Sequence, residues 1–402
     1  MALVSSDDVA AAAKLLAGIT QVTPVANSRV LGSRVGGSVF FKCENLQRGG
    51  SFKIRGAYVR IARLSREERA RGVVAASAGN HAQGVALAAG LLGTAATVFM
   101  PVGAPLPKIE ATKSYGARIE LAGRTVDESL QLAIEFARQH GAVMIHPFDH
   151  VDIIAGQGTV GLEILDQCPQ VRTILVGTGG GGLVSGIAVA VKAQRPDVRV
   201  VGVQAGGAAA FPGSLAAGHP VALPSMATMA DGIMVGSPGE VTFAHVRELV
   251  DDIVTVSEES LSRALLFCLE RAKLVVEPAG VASVAALLDD PGRFEPPVMA
   301  VLSGGNIDPV LLSKVIQYGM VSAGRYLSCR LRIPDRPGEL AALLQLLAAQ
   351  GANVLSVEHS RTGSQLHLGE VEIALSAETR GEEHCERLLV ALADAGHTAI
   401  FG

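Results

Sequence analysis

The 402-residue chain is expected to fold as an α/β protein: βαβ units whose parallel sheet is covered by helices on both faces, followed by a small βαββαβ module. Three observations predict this. Strand-like apolar runs alternate with Ala/Leu-rich helical stretches through the first three quarters of the chain. The composition is apolar and glycine-rich, with 46 Gly, 49% hydrophobic residues and no Trp, which suits sheets buried on both faces. Near residue 320 the pattern changes to a compact order of strands and two helices.

Taken in order, the strands are expected at Ser38–Lys42, Gly72–Ala76, Ala95–Met100, Ala117–Leu121, Val143–Ile145, Thr173–Val176, Arg199–Val203, Asp252–Val256 and Val298–Leu302. Helices are expected between many of them, including Val126–Gln139, Leu183–Ala193 and Glu258–Arg271. Asn80–Pro107 contains no charged residue, but it is mostly Ala and Gly and is broken by Gly93 and Pro101. It reads as a buried helix to Leu91 and then a strand, since a membrane span needs about 20 strongly apolar residues. Pro101–Pro107, Phe211–Pro224 and Pro291–Pro297 read as loops.

In the last part, Leu327–Ile333, Asn353–Arg361, Leu368–Ser376 and Thr398–Phe401 read as strands. Pro337–Gln350, with Pro337 in its first turn, and Glu382–Ala395 read as helices. The domain boundaries expected are 1–315 for the first domain, 316–324 for a linker, and 325–402 for the module.

Net charge is −4 with both signs interspersed, so neither a nucleic-acid stripe nor a basic membrane face is expected. The five cysteines, Cys43, Cys168, Cys268, Cys329 and Cys385, stand far apart without metal-ligand or redox spacing. That scatter fits a reducing cytoplasm. The first residues, Met1 to Asp8, carry no basic group before an apolar core, so no signal peptide is expected.

Two runs carry chemistry. Lys53 lies in Gly49-Gly50-Ser51-Phe52-Lys53-Ile54-Arg55-Gly56-Ala57. Ser51 can cap the helix that follows, which puts Lys53 in its first turn, where positive potential disfavours the ammonium form. Downstream, Gly177-Thr178-Gly179-Gly180-Gly181-Gly182-Leu183 joins a strand to a helix and exposes backbone N–H groups at a helix N-terminus, an anion cradle. A nucleophilic lysine and a phosphate cradle together point to an aldehyde cofactor with a phosphate tail, held by the lysine as a Schiff base: pyridoxal 5'-phosphate. The spacing Gly177-x-Gly179-x-x-Gly182 also matches a dinucleotide fingerprint, but the next strand ends Val203-Gln204-Ala205, without the acidic residue that reading requires. A second strand-to-helix turn, Ser77-Ala78-Gly79-Asn80-His81-Ala82-Gln83-Gly84, can bind another anion. Taken alone, Asn80 is an ordinary helix cap and His81 a structural histidine.

Ser51-Phe52-Lys53-Ile54-Arg55-Gly56-Ala57 resembles the pyridoxal-lysine motif of the threonine/serine dehydratases, in the tryptophan-synthase-like (fold type II) class of pyridoxal phosphate enzymes. Within 1–315 this family likeness implies a two-lobed form, with a small lobe at roughly 45–147 inserted in a larger one. The resemblance implies Lys53 as the catalytic residue and Gly179, Gly180, Gly181, Gly182 and Leu183 as holders of the cofactor phosphate. It implies Ser77, Gly79, Asn80 and His81 as holders of the substrate carboxylate, with Asn80 also on the cofactor's 3-hydroxyl oxygen. It places Ser303, in Ser303-Gly304-Gly305-Asn306, against the pyridine nitrogen, and Phe52 and Gly232 on the two ring faces. Glu277, in Val276-Glu277-Pro278-Ala279-Gly280, is a pocket residue to which the resemblance assigns no role.

Serine racemases of this family carry a serine where this chain has Ala78, so protons are expected to move on one face only: elimination stays possible and efficient racemisation is expected to be lost. Relatives that bind a divalent cation use an acidic pair. The matching stretch, Gln204 to Ala210, has no carboxylate, and no metal site is expected.

The runs Pro334-Asp335-Arg336-Pro337-Gly338-Glu339-Leu340 and Gly351-Ala352-Asn353-Val354 resemble the ACT domain, an amino-acid-sensing fold, and the resemblance maps Asp335, Gly338 and Asn353 to its effector pocket. The implied activity is conversion of L-threonine to 2-oxobutanoate and ammonia, with L-serine also accepted. Isoleucine or valine is the implied effector, and a homodimer or homotetramer the implied assembly. A serine dehydratase or racemase is the close alternative, and a non-catalytic amino-acid sensor the alternative of another class.

Overall fold

The computed structural model describes residues 3–322, 324–361 and 366–401. It divides into two compact units, 1–308 and 309–402. The first unit holds two sheets. Its strands are β1 (Val25–Asn27), β2 (Val39–Lys42), β3 (Val73–Ala76), β4 (Ala96–Met100), β5 (Arg118–Leu121), β6 (Val143–Met144), β7 (Thr173–Gly177), β8 (Arg199–Ala205), β9 (Asp252–Val256) and β10 (Val298–Val301). The six-stranded sheet has the order β1-β2-β10-β7-β8-β9, and the four-stranded sheet β5-β4-β3-β6. All pairings are parallel except β1 with β2. β1 is the strand the sequence does not announce: three residues at a sheet edge, without an apolar run. Every residue of β3, β7 and β10 is buried, as strands covered on both faces require.

Four helices set the geometry of the site: the lysine helix (Lys53–Ala62), the amide helix (Asn80–Leu91), the central helix (Val151–Gln167) and the cradle helix (Gly182–Gln194). The central helix carries glycines where its neighbours come closest. A Cβ on Gly156 would lie 2.6 Å from Gly56 Cα of the lysine helix, and a Cβ on Gly186 of the cradle helix would lie 2.4 Å from the Ile154 carbonyl oxygen. Backbone therefore packs on backbone along both seams.

Arg55, fully buried, ties the lysine helix down further. Its Nε and Nη2 donate to the two oxygens of Glu44 at 2.8 Å each, and its Nη1 donates to Glu163 of the central helix at 2.6 Å. Lys42 Nζ donates to Glu163 Oε2 at 2.6 Å, closing a cluster in which each buried charge has an opposite partner.

One local expectation about the lysine helix is corrected. Ser51 does not cap the lysine helix: Phe52 is the N-cap, without a side-chain hydrogen bond, and Ser51 is extended and bridges to Gly304. The pull of the neighbouring Ser303–Gly305 turn outweighs the local capping preference. Among the described residues, no helix is long and apolar enough to cross a membrane.

The second unit begins with a helix, Pro309–Ser322, which covers most of the 316–324 segment expected as a linker; residue 323 lies outside the described residues. Then come β11 (Tyr326–Pro334), helix Glu339–Ala349, β12 (Asn353–Ser360), β13 (Glu370–Glu378) and helix Glu382–Asp394. The sheet is antiparallel, in the order β11-β13-β12. Alternate residues of β11 and β13, such as Leu327, Leu331, Ile373 and Leu375, point into a core completed by Leu343, Leu347, Leu388 and Leu392. The expected last strand, Thr398–Phe401, is reduced to a single bridge between Ile400 and Arg330, which still places it on the β11 edge. Pro337 stands before its helix, because Gly338 at φ +97° is the N-cap.

Candidate active site

In open α/β sheets, functional loops gather at the carboxyl ends of the strands. Here β3 ends at Ser77–Gly79, β6 at His146–Asp149, β7 at Gly177–Gly181 and β10 at Ser303. All four line one cavity of about 960 Å³, which also takes in Phe52, Lys53, Asp231, Gly232 and Glu277. The large-sheet contributions come from β7 and β10, which are hydrogen-bonded neighbours. A second depression of about 370 Å³, at Gly218–Pro220 and Glu240–Arg247, holds none of the expected site residues.

Lys53 is the first residue of its helix. Its Nζ donates to the Pro147 carbonyl at 2.9 Å and lies 5.2 Å from the Phe52 ring centroid. Burial pushes its pKa down to about 8, against a smaller upward pull from Glu277. Roughly a fifth of this amine is thus neutral near pH 7.4, far more than for an ordinary lysine, and the neutral form is the one that adds to an aldehyde.

The cradle is built as an anion site. Gly181 sits at φ +94° as the N-cap, and the first residues of the cradle helix, Gly182–Val184, whose N–H groups have no partner within the helix, line the cavity. The four glycines have a steric cause. A Cβ on Gly180 would lie 2.4 Å from the Phe148 ring, and one on Gly181 2.7 Å from Phe211.

Asn80 opens the amide helix, with Gly79 as N-cap. Its Nδ2 donates to Glu277 Oε1 at 2.6 Å, and its Oδ1 accepts from Asn306 Nδ2 at 2.8 Å. Glu277 is only 5% exposed, and burial, helped by Asp231, pushes its carboxyl up to about 7. His81 Nε2 donates to the Ile145 carbonyl at 2.8 Å, and burial, together with the nearby Lys53 charge, pushes its pKa down to about 3. The imidazole is therefore neutral, and it ties the amide helix to the end of the β6 segment. Ala78 lines the cavity without a hydroxyl. At the cavity wall, Lys108 of helix Leu106–Ser114 pairs with Asp231 at 2.5 Å.

The cavity thus brings together every catalytic-domain residue expected from the sequence. Sequence reasoning missed the loop His146–Asp149, which supplies the Lys53 acceptor and the ring behind the cradle. Its one local signal was position: it follows β6 as Ser77 follows β3. The ACT residues fare differently. Asp335 and Gly338 lie together at one end of the sheet, where Arg361 holds Asp335 through two hydrogen bonds. Asn353 pairs with Glu378 at the far end of β13. About eight residues of strand, roughly 25 Å, separate the two ends, so a single module does not gather all three.

A cavity with a depressed-pKa lysine at one helix N-terminus and a glycine cradle at another defines a pyridoxal-phosphate fold, and the comparisons agree. Residues 3–304 match the family described as pyridoxal-phosphate dependent enzyme, and residues 328–394 match the ACT domain. The chain belongs to the pyridoxal-phosphate dependent enzymes and carries a C-terminal ACT domain. Among particular relatives, it is 46% identical over 386 residues to the L-threonine ammonia-lyase of Thermotoga maritima, covering 96% of each chain. It resembles a solved threonine deaminase from T.th. with a TM-score of 0.72 at 41% identity, covering 76% of this chain and 99% of that one. It resembles maize serine racemase with a TM-score of 0.75 at 38% identity, covering 80% of this chain and 99% of that one.

Proposed function

We propose that the chain is an L-threonine ammonia-lyase that releases 2-oxobutanoate and ammonia by β-elimination, and that it also acts on L-serine. The observation that carries this reading is the Lys53 amine, held near neutrality in one cavity with two strand-to-helix turns that can each bind an anion. The cavity fits pyridoxal phosphate: the cradle of Gly179–Leu183 suits its phosphate, and the Ser303 hydroxyl suits its pyridine nitrogen. When bound, the cofactor withdraws electrons from the substrate's α-carbon.

The chain's own groups do the rest. The turn Ser77–His81 holds the substrate carboxylate. Phe52 and Gly232 bound the ring plane. Lys53 takes the α-proton, the β-hydroxyl departs with a proton as water, and water then hydrolyses the released enamine to 2-oxobutanoate and ammonia. Ser303 as a hydroxyl, unlike an aspartate, does not force protonation of the ring nitrogen, which favours prompt elimination over a long-lived carbanion. Ala78 offers no proton on the opposite face, so racemisation is not supported despite the likeness to a serine racemase. Chiral analysis of serine after incubation checks this point.

The test is production of 2-oxobutanoate from L-threonine, with Lys53→Ala as the inactive control. Pyruvate from serine alone would indicate a serine dehydratase. A colourless protein that binds branched-chain amino acids and yields no keto acid would indicate a sensor. We assign the second unit, which begins with the helix Pro309–Ser322, to sensing of isoleucine or valine. Because Asp335 and Asn353 stand at opposite ends of the sheet, a pocket containing both draws on two chains, which supports a homodimer or homotetramer. Five free cysteines support a cytoplasmic setting.

A further inference from the structure

Asn306 ends the Ser303–Asn306 turn, and none of the roles above uses it. Its side chain sits in a chain of amides whose polarity can be followed from one end to the other. The Gly49 carbonyl can only accept a hydrogen bond, so the group facing it at 2.7 Å must be the Asn306 NH2. The second N–H of that NH2 is then the donor to Asn80, at 2.8 Å. The Asn80 atom it meets must therefore be Oδ1. That leaves the Asn80 NH2 on the other side, where one N–H reaches Glu277 Oε1 at 2.6 Å. Glu277 can accept there whether or not it carries a proton, since a carboxylic acid keeps an acceptor oxygen.

The backbone is cut to fit this chain. A Cβ on Gly50 would meet Asn306 Oδ1, and a Cβ on Gly304 would meet Glu277 Oε1; both would fall at 2.2 Å. Phe52 N–H donates to the Ser303 carbonyl and Gly305 N–H to the Gly50 carbonyl, so the loop before Lys53 and the turn of Asn306 move as one piece.

We propose that Asn306 is a positioning residue: its carboxamide, oriented by the Gly49 carbonyl, fixes which way the Asn80 amide faces and leaves one Asn80 N–H for the bound cofactor. The inference rests on the reading of the cavity as a pyridoxal phosphate site with Asn80 among its contacts. It adds a cause for the Asn80 orientation: the same loop that presents Lys53 also dictates the polarity of the group across the cavity.

Asn306→Asp tests this, because a carboxylate of the same shape has no N–H for either partner and invites the Asn80 amide to turn over. Apo-protein is titrated with pyridoxal 5'-phosphate while the absorbance of the lysine-bound chromophore is followed across pH, in wild type, N306D, N80A and the double variant. The expected result is a loss of about tenfold in cofactor affinity and a displaced chromophore titration in N306D, with little further effect of N306D once Asn80 is alanine. Should N306D fail to fold, judged by the Tm of the apo-protein, Asn306→Ala removes both donors without adding charge and completes the same cycle. Equal effects of the Asn306 change with and without Asn80, or an unaltered chromophore, overturn the proposal alone. A wild-type chain that forms no chromophore overturns the cavity reading and the proposal with it.

Discussion

At the scale of single residues the site is defined by two groups whose surroundings press them toward neutrality. For Lys53, burial lowers the pKa from 10.5 to about 8, so addition of pyridoxal phosphate to the apo-protein should accelerate with pH through a midpoint near 8. Stopped-flow absorbance between pH 6 and 10 measures it, and a midpoint near 10.5 would show an amine in ordinary solvation. Glu277 shifts the other way, from 4.5 up to about 7. Between those values the folded chain binds more protons than the unfolded one, so this group makes stability fall as pH rises through the window, and the loss is complete above pH 7. Glu277→Gln keeps the acceptor for Asn80 and removes the charge. The apo variant should gain on the order of 1–3 kcal/mol over wild type at pH 8. It should gain nothing near pH 4.5, and thermal melts at the two pH values decide the point. The Lys53 motif was legible in sequence through its glycine turn and its likeness to a pyridoxal-lysine run, and Ser303 because it follows the apolar strand β10. The acceptor of Lys53, Pro147, was not, since 94 residues and a fold lie between them.

At the scale of elements the central helix does most to place the site, through glycines that admit neighbouring backbones. Gly186→Ala would drive a methyl against the Ile154 carbonyl and the Gly158 nitrogen, neither of which can swing aside as a side chain could. A loss of about 1–3 kcal/mol is expected, accompanied by weaker cofactor binding. Gly213→Ala, also helical but with nothing within 4 Å, should be neutral or slightly stabilising and serves as the control in denaturant melts. Apolar runs made the buried parallel strands readable, because such strands need apolar residues on both faces. The elements misread were those governed by partners distant in sequence. β1 is held at an edge by β2, Ser51 is drawn into a bridge with Gly304, and Thr398–Phe401 keeps a single pairing.

At the scale of the whole molecule the two units answer different questions, one chemical and one regulatory. Isoleucine is expected to shift the threonine concentration that gives half-maximal keto acid production, and Asp335→Ala should abolish that shift. Saturation curves with and without isoleucine, for both proteins, measure it. An unchanged isoleucine response in D335A would move the effector site away from the Asp335–Arg361 end of the sheet. Sequence motifs carried the ACT assignment but not the arrangement of its pocket, because Asp335 and Asn353 are close in sequence terms and far apart along the strands.

The glycine seams have a last consequence, which concerns measurement. The lysine and the phosphate cradle each begin a helix, and both helices meet the same third helix backbone to backbone at glycines. The distance the cofactor must span is therefore gauged at these points by the thickness of a peptide backbone, a dimension that holds as long as the glycines stay bare. Most of the interior is free to drift in size and shape while that gauge holds its length, and a single added methyl on the gauge would reset it.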